Sequence, residues 1–508
     1  MTTQAAIADA LSRVKIVTNS NKSGIVQSTD ISRSDREALV ATGWLQEIIR
    51  GWYMLVRPDV ATGDSTAWYA NFWDFVRAYL KQRFGDEYCL SAESSLDLHT
   101  DNPLTPRQII VMAKHGAGIR SLPYDTSLMI YVDTKNFPAE MNKKNDLNVM
   151  QLAYALCKVA PSYYLKQPRD AEIALRSIKS ANEISKVIIR HNLKTAANRL
   201  VGAYQALNDH DMAMAIKDDL ATAGILVIPN QPFEQPKPLL SSVRITSPYA
   251  ARIRAMWADA REAVIANFPT PPGLPNNPNE YLHQIDEIYQ FDAYNSLSIE
   301  GYQVTDELIN RVKSNQWDPA NSEYDNNIKN AMAAKGYYDA FQEVKNCIDK
   351  IIHGDNAANI VKQHLQKWYQ CLFGPSVNAG ILTRESLFGY RDDRIFIRNS
   401  RHSPPSKEAV VDAMEAFFDC IKNETHAGAN AVLSHYFFVY IHPYMDGNGR
   451  IARFLMNTLL ASGGYPWTVI RVENRNKYIA ILEQTHNQFD LTAFAKFINP
   501  DISSSHPK

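Results

Sequence analysis

The feature of this sequence that most restricts its fold is a glycine-rich turn between two apolar stretches near the carboxyl end. The run 432–441 is mostly apolar, and Pro443, which cannot donate a helical hydrogen bond, follows it. Apolar residues then recur at helical spacing over 451–459, until the glycine pair at 463–464. The sequence therefore predicts two buried helices joined by a loop, with the second helix beginning at the glycines of 447–449.

Chemically functional side chains are concentrated in that loop. Successive N–H groups of a glycine turn, together with the positive end of a helix dipole, form a site suited to phosphate oxygens. Arginines three residues apart share a helix face and can clamp phosphate, a carboxylate suits Mg²⁺, and a histidine accepts a proton near neutral pH. The candidate residues are His442, Asp446, Gly447, Asn448, Gly449, Arg450 and Arg453. Each alone is an ordinary turn or structural residue, but their conjunction indicates phosphoryl or nucleotidyl transfer.

The stretch 442–453 resembles the signature of Fic proteins, H-P-F-x-D-G-N-G-R-x-x-R, with Tyr444 in place of phenylalanine. The likeness extends over roughly residues 285–498. It implies a mainly α protein with a Fic-type helical core and a small β-hairpin flap. It also implies transfer of AMP from ATP to a Ser, Thr or Tyr hydroxyl of a protein, the chain itself included. His442 would then be the general base and Asp446 would hold Mg²⁺.

Two further segments extend this resemblance. Residues 379–397, which end in Ile395-Phe396-Ile397, resemble the Fic flap, so that Ile397 becomes a candidate nucleotide contact and the flap would align the target as an added strand. Arg475-Asn476-Lys477-Tyr478 opens a helix that resembles the one lining the adenine pocket, with Tyr478 and Ile479 as lining residues. A position that is often Asn in the family falls on His486.

An inhibitory element is predicted upstream of the core, near 290–301. Ser296 and Glu300 are one turn apart on a helix face, and Gly301 can end the helix in a left-handed cap. The pattern S-x-x-x-E-G resembles the Fic inhibitory helix, which implies that Glu300 pairs with Arg453 and blocks the productive nucleotide pose. The alternative is a solvated glutamate in a last helical turn.

The amino-terminal region has a different character. The sequence predicts helices over 5–14 and 32–42 and a hairpin turning at Arg50-Gly51, which we interpret as the helix, helix, helix, hairpin order of a winged helix. Residues up to about 120 resemble AbiEi-type antitoxins through Arg36-x-x-Leu39-Val40-x-x-Gly43-x-Leu45 and Arg50-Gly51-x-Tyr53. The resemblance implies DNA binding through residues 24–57. Acidic residues offset the arginines there, so a winged helix used for protein contacts is the alternative.

Length and proline positions suggest how the chain is divided. At 508 residues, about three folded units are expected. Proline clusters at 229–238 and 269–278 read as connectors on either side of a predicted helix over 249–268. We therefore predict an amino-terminal α+β region (1–120), a mixed and helical middle region (121–235), a helix with a proline-rich connector (240–280) and the Fic-like domain (281–500).

Composition narrows the classes of function. Lys plus Arg number 53 and Asp plus Glu number 54, so no overall cationic bias indicates nucleic acid or a membrane. The five cysteines are scattered without a C-x-x-C pair, which argues against disulfides and zinc and favours a reducing cytoplasm. We see no signal peptide or membrane span.

Three hypotheses follow from the sequence. The first is an autoinhibited, ATP- and Mg²⁺-dependent protein adenylyltransferase. The second is a DNA-binding regulator of toxin–antitoxin type whose Fic module senses nucleotide. The third is a Fic enzyme that mainly removes AMP, or one that uses another donor such as UTP.

Overall fold

Helices dominate the computed structural model of the chain, which describes residues 4–58, 63–234, 238–240, 244–245, 247–314, 316 and 328–499. The chain forms two units. One comprises Met1–Pro248 with Ile395–Ser403, and the other comprises Tyr249–Arg394 with Pro404–Lys508.

The first unit contains ten of the described helices and three small sheets. Its helices are α1 (Gln4–Asn21), α2 (Arg33–Ala41), α3 (Thr66–Phe84), α4 (Ala92–His99), α5 (Leu152–Lys158), α6 (Pro161–Lys166), α7 (Pro168–Arg176), α8 (Ala181–His191), α9 (Lys194–Ala206) and α10 (His210–Thr222). Its strands are β1 (Ile25–Gln27), β2 (Leu45–Ile49), β3 (Trp52–Leu55), β4 (Tyr88–Leu90), β5 (Gln108–Ala113), β6 (Gly118–Leu122), β7 (Thr126–Val132), β8 (Met141–Lys144) and β9 (Leu147–Met150). The sheet orders are β1-β3-β2, β4-β5-β7-β6 and β8-β9. Only β5 and β7 pair in parallel among these described strands.

The amino-terminal segment differs from the predicted winged-helix order. The predicted second helix and the hairpin are present as α2 and the antiparallel pair β2–β3. However, residues 25–27 form β1, which pairs with β3, so residues 4–58 contain two helices and a three-stranded sheet instead of three helices and a hairpin. The strand forms because Ile25 and Val26 are β-branched and bury against the core. The winged-helix assignment stays a prediction.

Two charged residues of α2, Arg33 and Asp35, pair with opposite charges, one within the helix and one on α1. Arg33 Nε lies 2.7 Å from Glu37 Oε1, and Arg13 Nη2 lies 2.6 Å from Asp35 Oδ1. These exposed pairs contribute little to stability. They do offset the positive charge that phosphate contacts would need.

The middle region is mixed, with helices in its second half. The segment 170–207, where the sequence shows helical patterning, lies in three helices, α7 to α9. Apolar residues of α5 to α10 share a single buried cluster with residues of α4 and β4. The predicted boundaries at 120 and 235 stay predictions.

The second unit contains helices and loops but no β-strand among its described residues. Its helices are α11 (Pro248–Ala266), α12 (Pro278–Ile299), α13 (Asp306–Lys313), α14 (Ile328–Ile352), α15 (Ala357–Asn378), α16 (Lys407–Asn423), α17 (Ala427–Ile441), α18 (Asn448–Ala461), α19 (Arg475–Gln488) and α20 (Thr492–Ile498), with short 3-10 helices at Arg384–Leu387 and Val472–Asn474. The predicted helix 249–268 is thus present as α11.

The centre of this unit is the pair α17–α18. Every residue of α17 from Gly428 onward is buried, as expected for a helix that is apolar on all sides. Helix α18 is buried over nearly its whole length, including its two arginines. At Gly336 of α14 the backbone approaches α15 so closely that a Cβ would overlap the Leu372 carbonyl oxygen. Among the described residues, no helix is both long enough and apolar enough to cross a bilayer.

The predicted flap hairpin is wrong. Residues 379–405, all of them described, contain no strand, only the short 3-10 helix and an isolated bridge between His402 and Leu104. The segment 395–403 belongs to the first unit, where Asn399 N donates to Thr66 Oγ1 (3.0 Å) and Thr105 N donates to Arg401 O (2.9 Å).

Candidate active site

The loop between α17 and α18 is held in one conformation by its own side chains. The buried Asn448 amide brackets Tyr444, accepting from its N–H at 3.0 Å and donating to its carbonyl at 2.7 Å. The Tyr444 ring stacks on Tyr369 of α15, with centroids 4.0 Å apart and planes 10° apart. Tyr444 thus keeps the aromatic packing expected at this position. Gly447 adopts φ 79°, a left-handed conformation that favours glycine, immediately before α18 begins.

His442 is positioned as a neutral base. Its Nδ1 lies 3.1 Å from the Val439 carbonyl, which can only accept, so Nδ1 carries the proton and Nε2 is left as an acceptor. Desolvation lowers the pKa of His442 to about 4, opposed by the hydrogen bond to Val439 and reinforced by the nearby charge of Arg391. Arg391 Nε in turn donates to the His442 carbonyl at 2.9 Å. The imidazole is therefore uncharged at neutral pH.

Arg450 is clamped between two aromatic rings. Its guanidinium carbon lies 5.1 Å from the ring centroids of both Tyr302 and Phe373, and only 1% of its side chain is exposed. Its Nη2 lies 3.3 Å from Asp446 Oδ1, while its buried Nε has no hydrogen-bond partner within the described residues. Asp446 itself is 63% exposed, and its Oδ1 also accepts from Gly447 N at 2.6 Å. The arrangement is a fixed cation beside an accessible carboxylate.

Arg453 contacts the carboxyl end of α12. Its Nε donates to Ser296 Oγ at 2.8 Å, and its Nη2 donates to Ser296 O at 3.0 Å and to Glu300 Oε1 at 2.7 Å. Its buried Nη1 has no partner in the part of the chain that the structure describes. Desolvation alone would raise the pKa of Glu300, but the charges of Arg453 and Arg450 outweigh it and hold that pKa below its ordinary value. Glu300 is therefore ionised at neutral pH.

Glu300 also occupies the amino-terminal end of α18. A Cβ built at Gly449 would overlap Glu300 Oε1 and would come within 3.3 Å of Arg453 Nη1. Only glycine leaves room there for the carboxylate. A negative charge is favoured at this end of a helix, where N–H groups lack intrahelical partners. The Glu300 carboxylate therefore lies against the glycine turn that is predicted to bind phosphate.

The end of α12 is fixed by contacts that sequence reasoning did not identify. Asn295 Oδ1 accepts from Val472 N at 2.8 Å, and Arg475 Nε donates to Ile299 O at 2.7 Å. The buried Asp292 accepts from Tyr337 Oη at 2.6 Å, and burial raises the pKa of Asp292 to about 6. Residues 292, 296 and 300 are each one helical turn apart and so share a helix face. This spacing could have added Asp292 to the predicted site residues.

The residues predicted to contact adenine differ in their surroundings. Tyr478 is buried, with its Oη 2.8 Å from His435 Nε2 and its ring stacked on Phe497. Burial raises the pKa of Tyr478 to about 12, against the opposing charge of nearby Arg453. Ile479, by contrast, is exposed, and Ile397 belongs to the first unit. Roles for these residues in nucleotide binding stay predictions.

His486 lies in the aromatic core beside α17. Its ring is buried between Tyr436 and Tyr440, with centroids 5.5 and 5.8 Å away. The histidine therefore packs against α17 at the position where the family often has Asn.

Comparison with known proteins agrees with this geometry. The sequence profile of the Fic/DOC family matches residues 359–460, which include α17, the loop and most of α18. A stretch of 113 residues is 41% identical to Protein adenylyltransferase Fic of Nematostella vectensis, covering 22% of this chain and 26% of that protein. Over the same length the chain is 37% identical to Protein adenylyltransferase Fic of Drosophila willistoni, covering 22% of each.

These matches are local. The chain spans about a quarter of the length of the curated relatives it matches. The solved structure of Fic-1 (residues 134–508) from C. elegans aligns with 68% of this chain and 92% of its own at 16% identity, but its TM-score of 0.36 is too low to carry weight. The sequence match covers the same helices that form the site, α17 and α18. The chain therefore contains a domain of the Fic/DOC family.

Proposed function

We propose that this chain is a protein adenylyltransferase, which transfers AMP from ATP to a Ser, Thr or Tyr hydroxyl of a protein, itself included, and that Glu300 inhibits the reaction. The observation that carries the proposal is the juxtaposition, in one loop, of a neutral imidazole and a helix terminus with two buried arginines. The names of the relatives support the same activity.

His442 supplies the base. As the target hydroxyl oxygen bonds to the α-phosphorus, its proton passes to Nε2, the nitrogen that Val439 leaves unoccupied. The bond between the α-phosphorus and the bridging oxygen breaks, and pyrophosphate leaves with the electron pair. A pKa of about 4 keeps the imidazole unprotonated before the step, although it makes the imidazole a weak base.

The start of α18 supplies the anion site. Arg450 and Arg453 are buried cations, each with a guanidinium nitrogen that lacks a partner within the described residues. Phosphate oxygens would satisfy those nitrogens and the N–H groups of 447–449. Because Arg450 is held between two rings, it would need little reorganisation as charge develops on the departing pyrophosphate.

Asp446 is suited to hold Mg²⁺. It is the exposed carboxylate of the loop, and one of its oxygens, Oδ1, already accepts from Gly447 and Arg450. No protein donor reaches Oδ2 among the described residues, which leaves a hard oxygen for the ion. When bound, Mg²⁺ would neutralise charge on the phosphates.

Inhibition follows from where Glu300 lies. Its carboxylate is hydrogen-bonded to Arg453 and touches the space above Gly449, so it competes with a phosphate for the same arginine and the same helix end. Two anions cannot share that position, because like charges at such distance repel strongly in a partly desolvated site. ATP must therefore bind in an unproductive pose or displace α12's carboxyl end.

The test is labelling of the full chain with [α-³²P]ATP and Mg²⁺. Wild type should label weakly, Glu300→Ala strongly, and a double variant that adds His442→Ala should not label. A matched control adds His353→Ala instead, which removes an exposed histidine just after α14 and should leave labelling intact. Label from [γ-³²P]ATP would instead indicate phosphoryl transfer. Labelling that survives His442→Ala would remove the proposed base.

Two alternatives are outcomes of the same experiment. Efficient loss of AMP from labelled protein in wild type, but not in Glu300→Ala, would favour the reverse reaction. Labelling by [α-³²P]UTP in preference to ATP would change the donor. We do not propose DNA binding, because Arg33 of α2 and Arg13 of α1 are each paired with a carboxylate.

A further inference from the structure

A second group of ligating side chains lies between α14 and α15. Glu343 and Cys347 are one turn apart on α14, and His364 faces them from α15. One oxygen, the sulfur and one nitrogen from these residues all lie within 4.8 Å of one another. His364 Nδ1 is 2.9 Å from Glu343 Oε1. None of these residues belongs to the loop at 442–453.

We propose that Glu343, Cys347 and His364 bind a divalent transition metal, Zn²⁺ foremost, with water as the fourth ligand. Carboxylate, thiolate and imidazole are the three side-chain donors that zinc accepts. Zinc–ligand distances of roughly 2.0–2.3 Å in a tetrahedron place the donor atoms about 3.3–3.8 Å apart. The observed separations, from 2.9 Å to at most 4.8 Å, bracket that range, so small side-chain rotations would complete the site.

The three side chains of the cluster differ in how far they are buried, so the cluster has a closed end and an end that opens to solvent. Cys347 is fully buried, whereas the Glu343 and His364 side chains keep 23% and 22% exposure. The thiol therefore forms the floor of the site, and the carboxylate and imidazole form its opening to solvent. That opening provides an entry path for the ion.

Charge balances once the metal is present. Binding displaces the thiol proton to solvent, and His364 changes tautomer: the ring proton that Nδ1 donates to Glu343 moves to Nε2, and Nδ1 takes the metal. One carboxylate and one thiolate then match the two charges of Zn²⁺. Without a metal, burial raises the pKa of the Cys347 thiol to about 11, and the cluster is only a histidine–carboxylate hydrogen bond beside an inert thiol.

The position of the cluster gives the metal a structural consequence. Helix α15 carries Tyr369, which stacks on Tyr444, and Phe373, which packs on Arg450. A metal ligated from both α14 and α15 would fix the helix that supports the catalytic loop. The sequence alone does not indicate this site, because its ligands are spread over two helices and its single cysteine has no C-x-x-C partner.

Cobalt substitution tests the proposal on the purified full chain. After chelation and addition of Co²⁺, a thiolate-to-cobalt charge-transfer band and intense visible d–d bands should saturate at one equivalent. Cys347→Ser should abolish the charge-transfer band, and His364→Ala should weaken binding at least tenfold. The matched control is Cys371→Ser, a partly exposed cysteine of α15 outside the cluster, which should leave the spectrum unchanged.

A second measurement guards against misfolding of the variants. Zinc should raise the thermal midpoint of wild type and Cys371→Ser, but not that of Cys347→Ser or His364→Ala, each compared with its own metal-free sample by circular dichroism. Absence of a thiolate band in wild type, or a band that persists in Cys347→Ser, would overturn the proposal. Neither readout depends on adenylyl transfer, so the proposed enzymatic function stands or falls separately.

Discussion

Replacing Glu300 by alanine should make the protein less stable and more active at once. The substitution removes the carboxylate from Arg453, whose side chain is only 4% exposed. A buried arginine that loses its counter-ion typically costs about 3–5 kcal/mol. Here Ser296 still supplies two hydrogen-bond acceptors, and the Glu300 side chain is 29% exposed, so we expect about 2 kcal/mol.

The stability that is lost on replacing Glu300 should depend on pH, and the pKa of Glu300 gives the direction of this dependence. The pKa of Glu300 lies below its ordinary 4.5 because the arginine charges outweigh desolvation. Its contribution is therefore fully present above pH 4.5 and is lost as the pH falls through the lower, folded-state pKa. The unfolding midpoints of wild type and Glu300→Ala should differ at pH 7 and converge in acid.

Urea unfolding with and without ATP and Mg²⁺ provides the assay, alongside labelling. ATP should raise the midpoint of Glu300→Ala more than that of wild type, because phosphate then meets no competing carboxylate. Glu287→Ala is the matched control, since it truncates a 67% exposed glutamate in the same helix. If Glu300→Ala behaves like Glu287→Ala in stability, ATP response and labelling, the inhibitory role assigned to Glu300 is refuted.

Further substitutions probe the surroundings of the loop. Asp292→Asn should raise the free energy of unfolding in urea at pH 7 by on the order of 2 kcal/mol, and the gain should vanish below pH 4, because the raised pKa of about 6 means that the buried carboxylate is destabilising only when charged. Gly449→Ala should abolish labelling even in a Glu300→Ala background, since the new methyl group intrudes on the anion site; retained labelling would contradict this site. Tyr444→Phe should keep the ring stack and change the free energy of unfolding by less than about 1 kcal/mol, as measured by urea unfolding. In Glu300→Ala, the labelling rate should be nearly flat from pH 6 to 8, because His442 titrates near 4; a fall centred near 6.5 would show an unperturbed base.

Features encoded by neighbouring residues could be predicted from the sequence. Pro443 and the glycines of 447–449 fix where one helix stops and the next begins, so the loop follows from local rules. The shared face of Ser296 and Glu300 follows equally from helical spacing. Their contact with Arg453 rested on family resemblance and not on any local pattern.

Features that depend on distant residues could not be predicted. The clamp of Tyr302 and Phe373 on Arg450 joins three separate segments, and aromatic residues at helical spacing look the same whether they pack a core or hold a cation. The flap prediction failed for a related reason. Residues 395–397 have a strand-like pattern, but Asn399, Arg401 and Ser403 form hydrogen bonds with residues some three hundred positions earlier in the chain.

Residues 395–403 belong to the first unit, although the residues on either side of them belong to the second. The first unit is therefore built from two separate segments of the chain. No single cleavage can then yield the second unit alone, because any fragment that contains all of that unit also carries 395–403. A fragment that starts at residue 249 would keep 395–403 but lose Thr66 and Thr105, to which that segment is hydrogen-bonded. Truncation or gene fusion at residue 249 would leave residues 395–403 without these hydrogen-bond partners. The Fic domain of this chain therefore cannot be moved to another protein with all of its native contacts.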